Sequence, residues 1–320
     1  MSCFLFKLCF TAPVHFGPPD AALSLYSSEE TFCADTLFSA LCHTALQAEG
    51  EMGLEHLCNA VKSGELHLSD AMPYCGEDFY LPKPYFHSSS SEELPPKLRK
   101  TVKKLRWLPV TSFERFSDSI HGGAPFAPSE IVSFGIHEEY TKAAITEGKD
   151  AVPYQVGVFR FFDNCGLWFI LCCPESEGEY YEKLIKLLGM SGIGGKISSG
   201  YGSFEIDDAI LLDEPFDEQT QWLHDALVKR SDSYLLLTTS LPQEDELESA
   251  LNGAFYQLTR RGGFIRSDTY SDEPQKKDTK YFIAAGSVLK RRFSGTLFKV
   301  ADGNHPVYRC SSPVMLGVSL

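Results

Sequence analysis

The chain has 320 residues, of which 43% are hydrophobic and 12% aromatic, enough to bury the core of one large or two ordinary domains. Its formal net charge is −14 at pH 7 and its pI is about 5.1. Proteins that coat nucleic acid non-specifically are usually basic, so any nucleic-acid site on this acidic chain must be local.

The chain opens with a strand, a loop and a helix. Residues 3–10 form a dense apolar and aromatic run that predicts a buried strand, and Pro13 and Gly17 then impose a loop. Apolar residues at helical spacing predict a helix over 36–46, with Asp35 as its N-cap. Capping accounts fully for Asp35, so we assign this residue no chemistry.

The middle of the first half has the features of an insertion. A serine run at 88–91 precedes six Lys and Arg residues within 97–106, and a short strand begins near 106–110. Residues 111–150 show little periodicity, so we predict an insertion over about 72–150 that is partly mobile. The basic run 97–106 is typical of a solvated helix face and also of an RNA groove, and the sequence leaves both open.

The rest of the first half returns to regular structure. Two strands are predicted over 154–162 and 166–172, around a turn at Asp163 and Asn164. A helix over 179–188 follows, and a strand over 203–206 comes after the glycine-rich segment. With the first strand and helix, these elements complete a split β-α-β arrangement.

The second half is predicted as a separate domain. Pro215 and its acidic neighbours mark a joint, so we predict domains over 1–212 and 213–320. A helix is predicted over 244–254, and the predicted strands are 233–240, 255–258, 281–285, 287–289, 297–300 and 314–318. The expected fold class is α+β, with two related ferredoxin-like halves and mostly antiparallel sheets.

The glycine-rich loop, residues 192–202, is the most informative segment. Glycines permit positive φ and close backbone approach, consecutive N–H groups can form an anion site, and a lysine suits phosphate. An ordinary glycine C-cap explains one or two glycines but not five. A dinucleotide fingerprint needs the helix after the loop, and no Walker A spacing is present. The predicted RNA-binding residues here are Gly192, Gly194, Gly195, Lys196, Ser198, Ser199, Gly200 and Tyr201, although Tyr201 is equally suited to packing against the sheet.

A basic stretch in the second half offers a second wall for a polyanion. Between residues 255 and 310 there are eleven Lys and Arg residues against five Asp and Glu. Guanidinium groups clamp phosphate and stack on bases, and an exposed Phe can stack as well. The alternative is a turn with solvated charges. The residues predicted to bind RNA in this stretch are Arg260, Arg261, Phe264, Ser267, Arg291 and Arg292.

Cysteine and histidine usage points away from a metal site. None of the ten cysteines has C-x-x-C spacing, and the histidines show no metal-ligand spacing. We therefore expect buried free thiols in a reducing cytoplasm, with no metal and no cofactor. The sequence shows no signal peptide and no run long enough to span a bilayer, so we expect a cytoplasmic protein that does not bind a membrane.

Seven short motifs, each weak alone, follow one another along the chain. They are PVHFG (13–17), DTLFSALC (35–42), LPKPYF (81–86), GIGGKISSGYG (192–202), RGGFIRS (261–267), AGSV (285–288) and HPVYR (305–309). In this order and spacing they make nearly the whole chain resemble the RAMP superfamily of CRISPR proteins, and within it the Csm subunit four family of type III-A interference complexes.

This resemblance implies a non-catalytic subunit that caps the 5′ tag of the crRNA. It further implies contacts with the large polymerase-like subunit and with the Csm backbone subunit. It also implies two ferredoxin-like (RRM-like) domains, and an inserted thumb or hairpin region of the N-terminal one that is expected to lie between crRNA and target RNA. The resemblance thus makes crRNA the anion expected at the glycine-rich loop.

His15 supports a rival hypothesis. Related RAMP ribonucleases use a histidine as general acid or base, so this chain is alternatively a metal-independent CRISPR endoribonuclease with His15 as its catalyst. A histidine without placed partners seldom defines catalysis, so His15 is predicted instead as a structural or RNA-contacting residue. A third option is a protein-interaction scaffold that never touches RNA.

Overall fold

The computed structural model describes residues 1–18, 25–86, 102–126, 131–144, 150–267, 269–271, 273 and 275–320. The predicted serine run 88–91 and residues 97–101 of the basic run lie outside the described residues. The helices that matter here are α1 (Ala34–Glu49), α2 (Glu51–Lys62), α3 (Phe113–Ile120), α4 (Gly178–Ser191), α5 (Glu218–Val228) and α6 (Leu247–Leu251). The strands are β1 (Ser2–Phe10), β2 (His67–Leu68), β3 (Met72–Cys75), β4 (Asp78–Pro82), β5 (Trp107–Pro109), β6 (Gly135–Ala144), β7 (Val152–Phe161), β8 (Cys165–Cys173), β9 (Phe204–Leu211), β10 (Ser233–Leu236), β11 (Leu258–Arg261), β12 (Lys280–Ile283), β13 (Val288–Leu289), β14 (Thr296–Asp302), β15 (Pro306–Ser311) and β16 (Met315–Val318).

The first half is built on one antiparallel sheet. Its strands lie in the order β5–β4–β3–β8–β1–β9, and β2 pairs with β8 beyond the end of β3. The inner order β3–β8–β1–β9, with α1 after β1 and α4 after β8, is that of a split β-α-β fold. The α+β class with antiparallel sheets is therefore confirmed.

The sheet is covered on both faces, and β8 is consequently buried along its whole length. On one face, Phe6, Leu8 and Phe169 pack against the apolar stripes of α1 and α4. Alternating side chains such as Leu5 and Trp168 point to the opposite face. There they meet α3, α5 and the strands of the second half, so the two halves share a continuous core.

The second half is organised around a small antiparallel sheet, in the order β13–β10–β16. Leu235 of β10 faces the shared core, whereas Tyr234 and Leu236 face a separate cluster with α6. Two hairpins, β11–β12 and β14–β15, extend from this sheet. Along the chain, the hairpin β14–β15 lies between β13 and β16, at the position that the second helix takes in a ferredoxin-like fold.

The zone at 111–150 is more regular than its sequence suggests. Helix α3 buries Phe113 and Phe116, and β6 pairs with all ten residues of β7 in a long hairpin. Most of β6 is exposed, because this hairpin projects from the sheet with only one end packed. The periodicity missed β6 since neither of its faces is continuously apolar.

One pair of cysteines differs from the expectation of free thiols. Cys3 and Cys172 stand opposite each other on β1 and β8 and are joined by a disulfide, so the expectation of free thiols is wrong for this pair. The strand register places them there, whereas their separation in sequence gave no indication of it.

None of the helices in the described ranges combines the length and the apolar character that crossing a bilayer requires.

Candidate nucleic-acid interface

A cleft of about 880 Å³ opens between the two halves. The start of α1 and Gly194 and Gly195 line it from the first half, and β11 with the turn after it lines it from the second. Nine Lys and Arg side chains border the cleft against three acids. The basic residues are Lys83, Lys103, Arg106, Arg260, Arg261, Arg266, Lys276, Lys277 and Arg309, and the acids are Glu29, Asp35 and Asp70.

Asp35 lies at the base of this cleft and joins the two halves. Its carboxylate accepts hydrogen bonds from Nε and Nη2 of Arg261, at 3.2 and 2.6 Å, and from Nη1 of Arg309. Arg261 Nη2 also donates to the Thr36 hydroxyl, and Arg309 Nη2 donates to the carbonyl of Gly262. The residue predicted as an N-cap is therefore an ion-pair partner.

The N-cap prediction for Asp35 is wrong for a geometric reason. Helix α1 begins two residues earlier than predicted, with Cys33 at the N-cap position and no capping side chain there. Asp35 thus sits in the first turn, where its negative charge suits the helix dipole. Its side chain points across to β11 and β15.

The electrostatics of this cluster follow from burial and proximity. Burial by itself would raise the pKa of Asp35, but the charges and hydrogen bonds of Arg261 and Arg309 outweigh it and lower that pKa to about 2. Burial, reinforced by Arg309, lowers the pKa of the neighbouring Lys277. Arg309 is 5% exposed, and its Nε has no hydrogen-bond partner among the described residues.

Asp70 makes a second polar link between the halves. Its Oδ1 accepts the backbone N–H of Ala34 at 2.8 Å and that of Thr239 at 3.0 Å, and its Oδ2 accepts the Thr239 hydroxyl at 2.6 Å. A residue remote in sequence thus satisfies a free N–H at the start of α1. Burial raises the pKa of Asp70 to about 6, although these hydrogen bonds oppose the rise.

The glycine-rich loop is held by its own backbone. The N–H groups of Ile193, Gly195 and Gly202 donate to the carbonyls of Gly202, His15 and Pro13 at 2.8–3.0 Å. Those of Ser199 and Gly200 close tight turns within the loop. These five N–H groups are therefore not available to form the anion nest that the sequence suggests.

Packing explains several of the loop glycines. A Cβ at Gly192 would lie 2.6 Å from the carbonyl oxygen of Tyr201, and one at Gly195 would lie 2.6 Å from the ring of His15. A Cβ at Gly202 would overlap the carbonyl oxygen of Ile193. Gly200, in contrast, has open space and needs glycine only for its φ of +83°.

The remaining loop residues divide between an exposed tip and a buried base. Ser198, Ser199 and Gly200 form the exposed tip, where a phosphate backbone can approach. Lys196 has a positive φ of 59°, and its Nζ lies 4.9 Å from the ring centroid of Tyr154 on β7. Tyr201 is buried, and its hydroxyl has no hydrogen-bond partner among the described residues.

His15 links three segments. It is 5% exposed, and its Nδ1 donates to the carbonyl of Gly157 on β7 at 2.6 Å. Its own carbonyl accepts the N–H of Gly195. The ring therefore connects the loop after β1, the long hairpin and the glycine-rich loop.

The predicted basic residues separate into those at the cleft and those away from it. Arg260, Arg261 and Phe264 border the cleft. Arg292 is not at the cleft: its guanidinium lies 4.7 Å from the ring centroid of Tyr234, and its Nη2 donates to the carbonyl of Leu227. The other two predicted residues, Ser267, which hydrogen-bonds His305 at 2.8 Å, and Arg291, also lie outside the cleft lining.

The sequence reasoning missed most of the residues that line the cleft. Lys276 and Lys277 lie in the basic stretch 255–310, and Lys83 lies within the motif LPKPYF, but none of the three was predicted as a binding residue. Two sequence signals marked the region: the positive charge of the second half, and the basic run 97–106, whose Lys103 and Arg106 border the cleft. Among the described residues, no group of three His, Cys, Asp or Glu is placed to hold a metal ion.

Comparison with known proteins defines the class. Residues 29–205 match the model of the RAMP superfamily, so a RAMP unit spans more than half of the chain. Residues 229–318 match the model of the CRISPR Csm4 C-terminal domain. A CRISPR system Cms protein Csm4 of Mycobacterium tuberculosis (strain ATCC 25618 / H37Rv) is 39% identical over 322 residues, covering 99% of this chain and 98% of the relative. One from Streptococcus thermophilus is 31% identical over 311 residues, covering 94% of each. This chain therefore belongs to the Csm4 family.

Solved structures support the same fold. A chain in a crystal structure of a Csm3–Csm4 subcomplex of the type III-A CRISPR-Cas interference complex matches with a TM-score of 0.63 at 17% identity, over 99% of each chain. A chain in a Csm1–Csm4 cassette in complex with cA4 matches with a TM-score of 0.61 at 21% identity, over 100% of this chain and 99% of the other. The RAMP-type fold and the family resemblance are thus confirmed.

Proposed function

We propose that this chain is a non-catalytic crRNA-binding subunit of a type III-A CRISPR (Csm) effector complex. It caps the 5′ tag of the crRNA and bridges the large polymerase-like subunit to the backbone subunits. The similarity to chains from Csm1–Csm4 and Csm3–Csm4 structures supports the two protein contacts.

One observation carries the RNA-binding part of the proposal: positive charge is concentrated in the cleft of an acidic protein. Nine basic side chains against three acids line the cleft, although the whole chain has a net charge of −14. Sequence-independent affinity for RNA comes from such local phosphate neutralisation. Lys276 Nζ lies 5.5 Å from the ring centroid of Phe264, which pairs a cation with an exposed aromatic at the rim.

The glycine-rich loop and the long hairpin complete the proposed path. We place the crRNA backbone along the tip Ser198–Gly200, beside Lys196, and into the cleft next to Gly194 and Gly195. The hairpin β6–β7 is the thumb, and target RNA lies near it. The domains divide at about residue 212.

The geometry of His15 favours this function over a nuclease. A general acid or base must reach the proton that it transfers. The imidazole is buried, and its Nδ1 is engaged by the carbonyl of Gly157. This arrangement is typical of a structural histidine.

The test compares two double variants that each remove two positive charges. Arg260→Ala/Lys276→Ala acts at the cleft, and Lys183→Ala/Lys186→Ala acts on the exposed face of α4, where both lysines pair with glutamates. The probe is a single-stranded RNA that begins with the repeat-derived 5′ tag, titrated over a range of salt concentrations. The slope of log K against log[salt] is negative, and each lost phosphate contact makes it shallower by about 0.7.

We expect the cleft variant to bind more weakly, with a slope shallower by about 1.4, and the α4 variant to match the wild type. Lys196→Ala should lower crRNA retention in the assembled complex without unfolding the protein. Equal behaviour of the two double variants would refute the cleft assignment. Cleavage of repeat RNA by the purified chain in EDTA would favour the nuclease, and no RNA binding at all would favour the protein scaffold.

A further inference from the structure

One acid at the base of the cleft is shared by two arginines from the other half of the molecule. Asp35 has a side chain only 3% exposed, and it receives hydrogen bonds from Arg261 on β11 and Arg309 on β15. The guanidinium of Arg261 is 17% exposed and borders the cleft, whereas that of Arg309 is 5% exposed. The three groups together carry one net positive charge.

Neighbouring groups that face this triad are also charged. Lys277 interacts electrostatically with Asp35, Arg261 and Arg309, and Arg260 precedes Arg261 on the exposed side of β11. Asp70 interacts electrostatically with two members of the triad, Asp35 and Arg261. Without Asp35, the four cations named above would face a single acid, Asp70.

We propose that Asp35 is a positioning residue and an internal counter-charge that limits how strongly the cleft attracts phosphate backbones. This inference rests on the proposed binding of RNA in the cleft. Arg is suited to phosphate because its planar fork donates two parallel hydrogen bonds. Asp35 occupies that fork on Arg261 through Nε and Nη2. The carboxylate thus holds the guanidinium in the cleft wall and cancels one positive charge.

The expected consequence is a change in salt dependence. Each additional phosphate that a protein neutralises on a single strand steepens the slope of log K against log[salt] by about 0.7. Over a fourfold range of salt, one such step changes the affinity ratio by about threefold. A residue that served only to stabilise the fold would change the fraction of folded protein and leave this slope unchanged.

The test is a charge series in the full-length chain. Asp35→Asn removes the negative charge, Arg309→Met removes one positive charge, and the combined variant Asp35→Asn/Arg309→Met restores the wild-type net charge. Single-stranded RNA with the 5′ tag and a scrambled RNA of equal length serve as probes. Unfolding in urea identifies the conditions under which each variant is folded.

We expect slopes steeper by about 0.7 for Asp35→Asn, shallower by about 0.7 for Arg309→Met, and equal to the wild type for the double variant, with both RNAs. If Asp35→Asn fails to fold, the Arg309→Met and double variants still test the order. Identical slopes across the folded variants while the wild type binds RNA would overturn the role of Asp35 and leave the proposed function intact. Failure of the wild type to bind either RNA would refute the proposed function itself.

Discussion

The buried carboxylate of Asp70 predicts that stability falls as pH rises through the weakly acidic range. Asp70 is buried at the interface of the two halves, and this burial raises its pKa from 3.8 to about 6. Between about pH 4 and pH 6, the folded state therefore keeps a proton on Asp70 that the unfolded chain has already released. Stability contributed by the neutral carboxyl is fully present below about pH 4 and is lost as pH rises through 6.

The magnitude follows from the two pKa values of Asp70. A difference of about two pH units between the folded and unfolded states corresponds to about 3 kcal/mol in the free energy of unfolding. Asp70→Asn keeps the shape of the side chain and an acceptor for the N–H groups of Ala34 and Thr239, but it cannot ionise. The variant should therefore gain about 3 kcal/mol relative to the wild type between pH 4 and pH 7.

Urea unfolding of both proteins across this pH range measures the difference directly. Asp163→Asn, in the exposed turn between β7 and β8, provides a control that changes the same charge without burial. The control should run parallel to the wild type at every pH. A constant difference between Asp70→Asn and the wild type from pH 4 to pH 7 would refute the reasoning, because Asp70 would then titrate alike in both states.

Two further predictions concern the glycine-rich loop. Gly202→Ala should cost about 3 kcal/mol, because φ is +77° and the new methyl overlaps the carbonyl of Ile193, whereas Gly200→Ala should cost only about 1 kcal/mol at its open site. Thermal unfolding of the pair checks this, and equal losses would contradict the packing argument. Tyr201→Phe should stabilise the chain by about 1 kcal/mol, since it removes a buried hydroxyl without a hydrogen-bond partner among the described residues; a lower melting temperature would count against that reading.

Local patterns in the sequence predict much of the first half. Residues 3–10 and 166–172 are short apolar runs, and the structure places strands over Ser2–Phe10 and Cys165–Cys173. The helix predicted over 179–188 spans Gly178–Ser191, and Tyr181, Leu184, Ile185 and Leu188 form its buried apolar stripe as the spacing predicts. Such elements are predictable because periodicity and length are set by residues within one turn or strand.

The cleft was not predictable in the same way, because contacts between the halves determine it. Asp35 was assigned a capping role from its local context, and Arg261 and Arg309, which lie 226 and 274 residues away, give it another. The glycines of the loop pointed to an anion, whereas contacts with His15, Tyr201 and Ile193 leave no room for a Cβ at most of these positions. Local patterns do not contain these distant partners, so only the packed fold shows them.

The distribution of charge connects the fold to the proposed function. The basic side chains of the cleft belong to a chain whose remaining surface is more acidic than its net charge of −14 suggests. A net acidic surface disfavours RNA binding on average, and a concave basic site concentrates the attractive field. A single bound strand is thus favoured over non-specific coating. Asp35 extends the same principle into the cleft, where one carboxylate moderates the attraction that nine basic groups create.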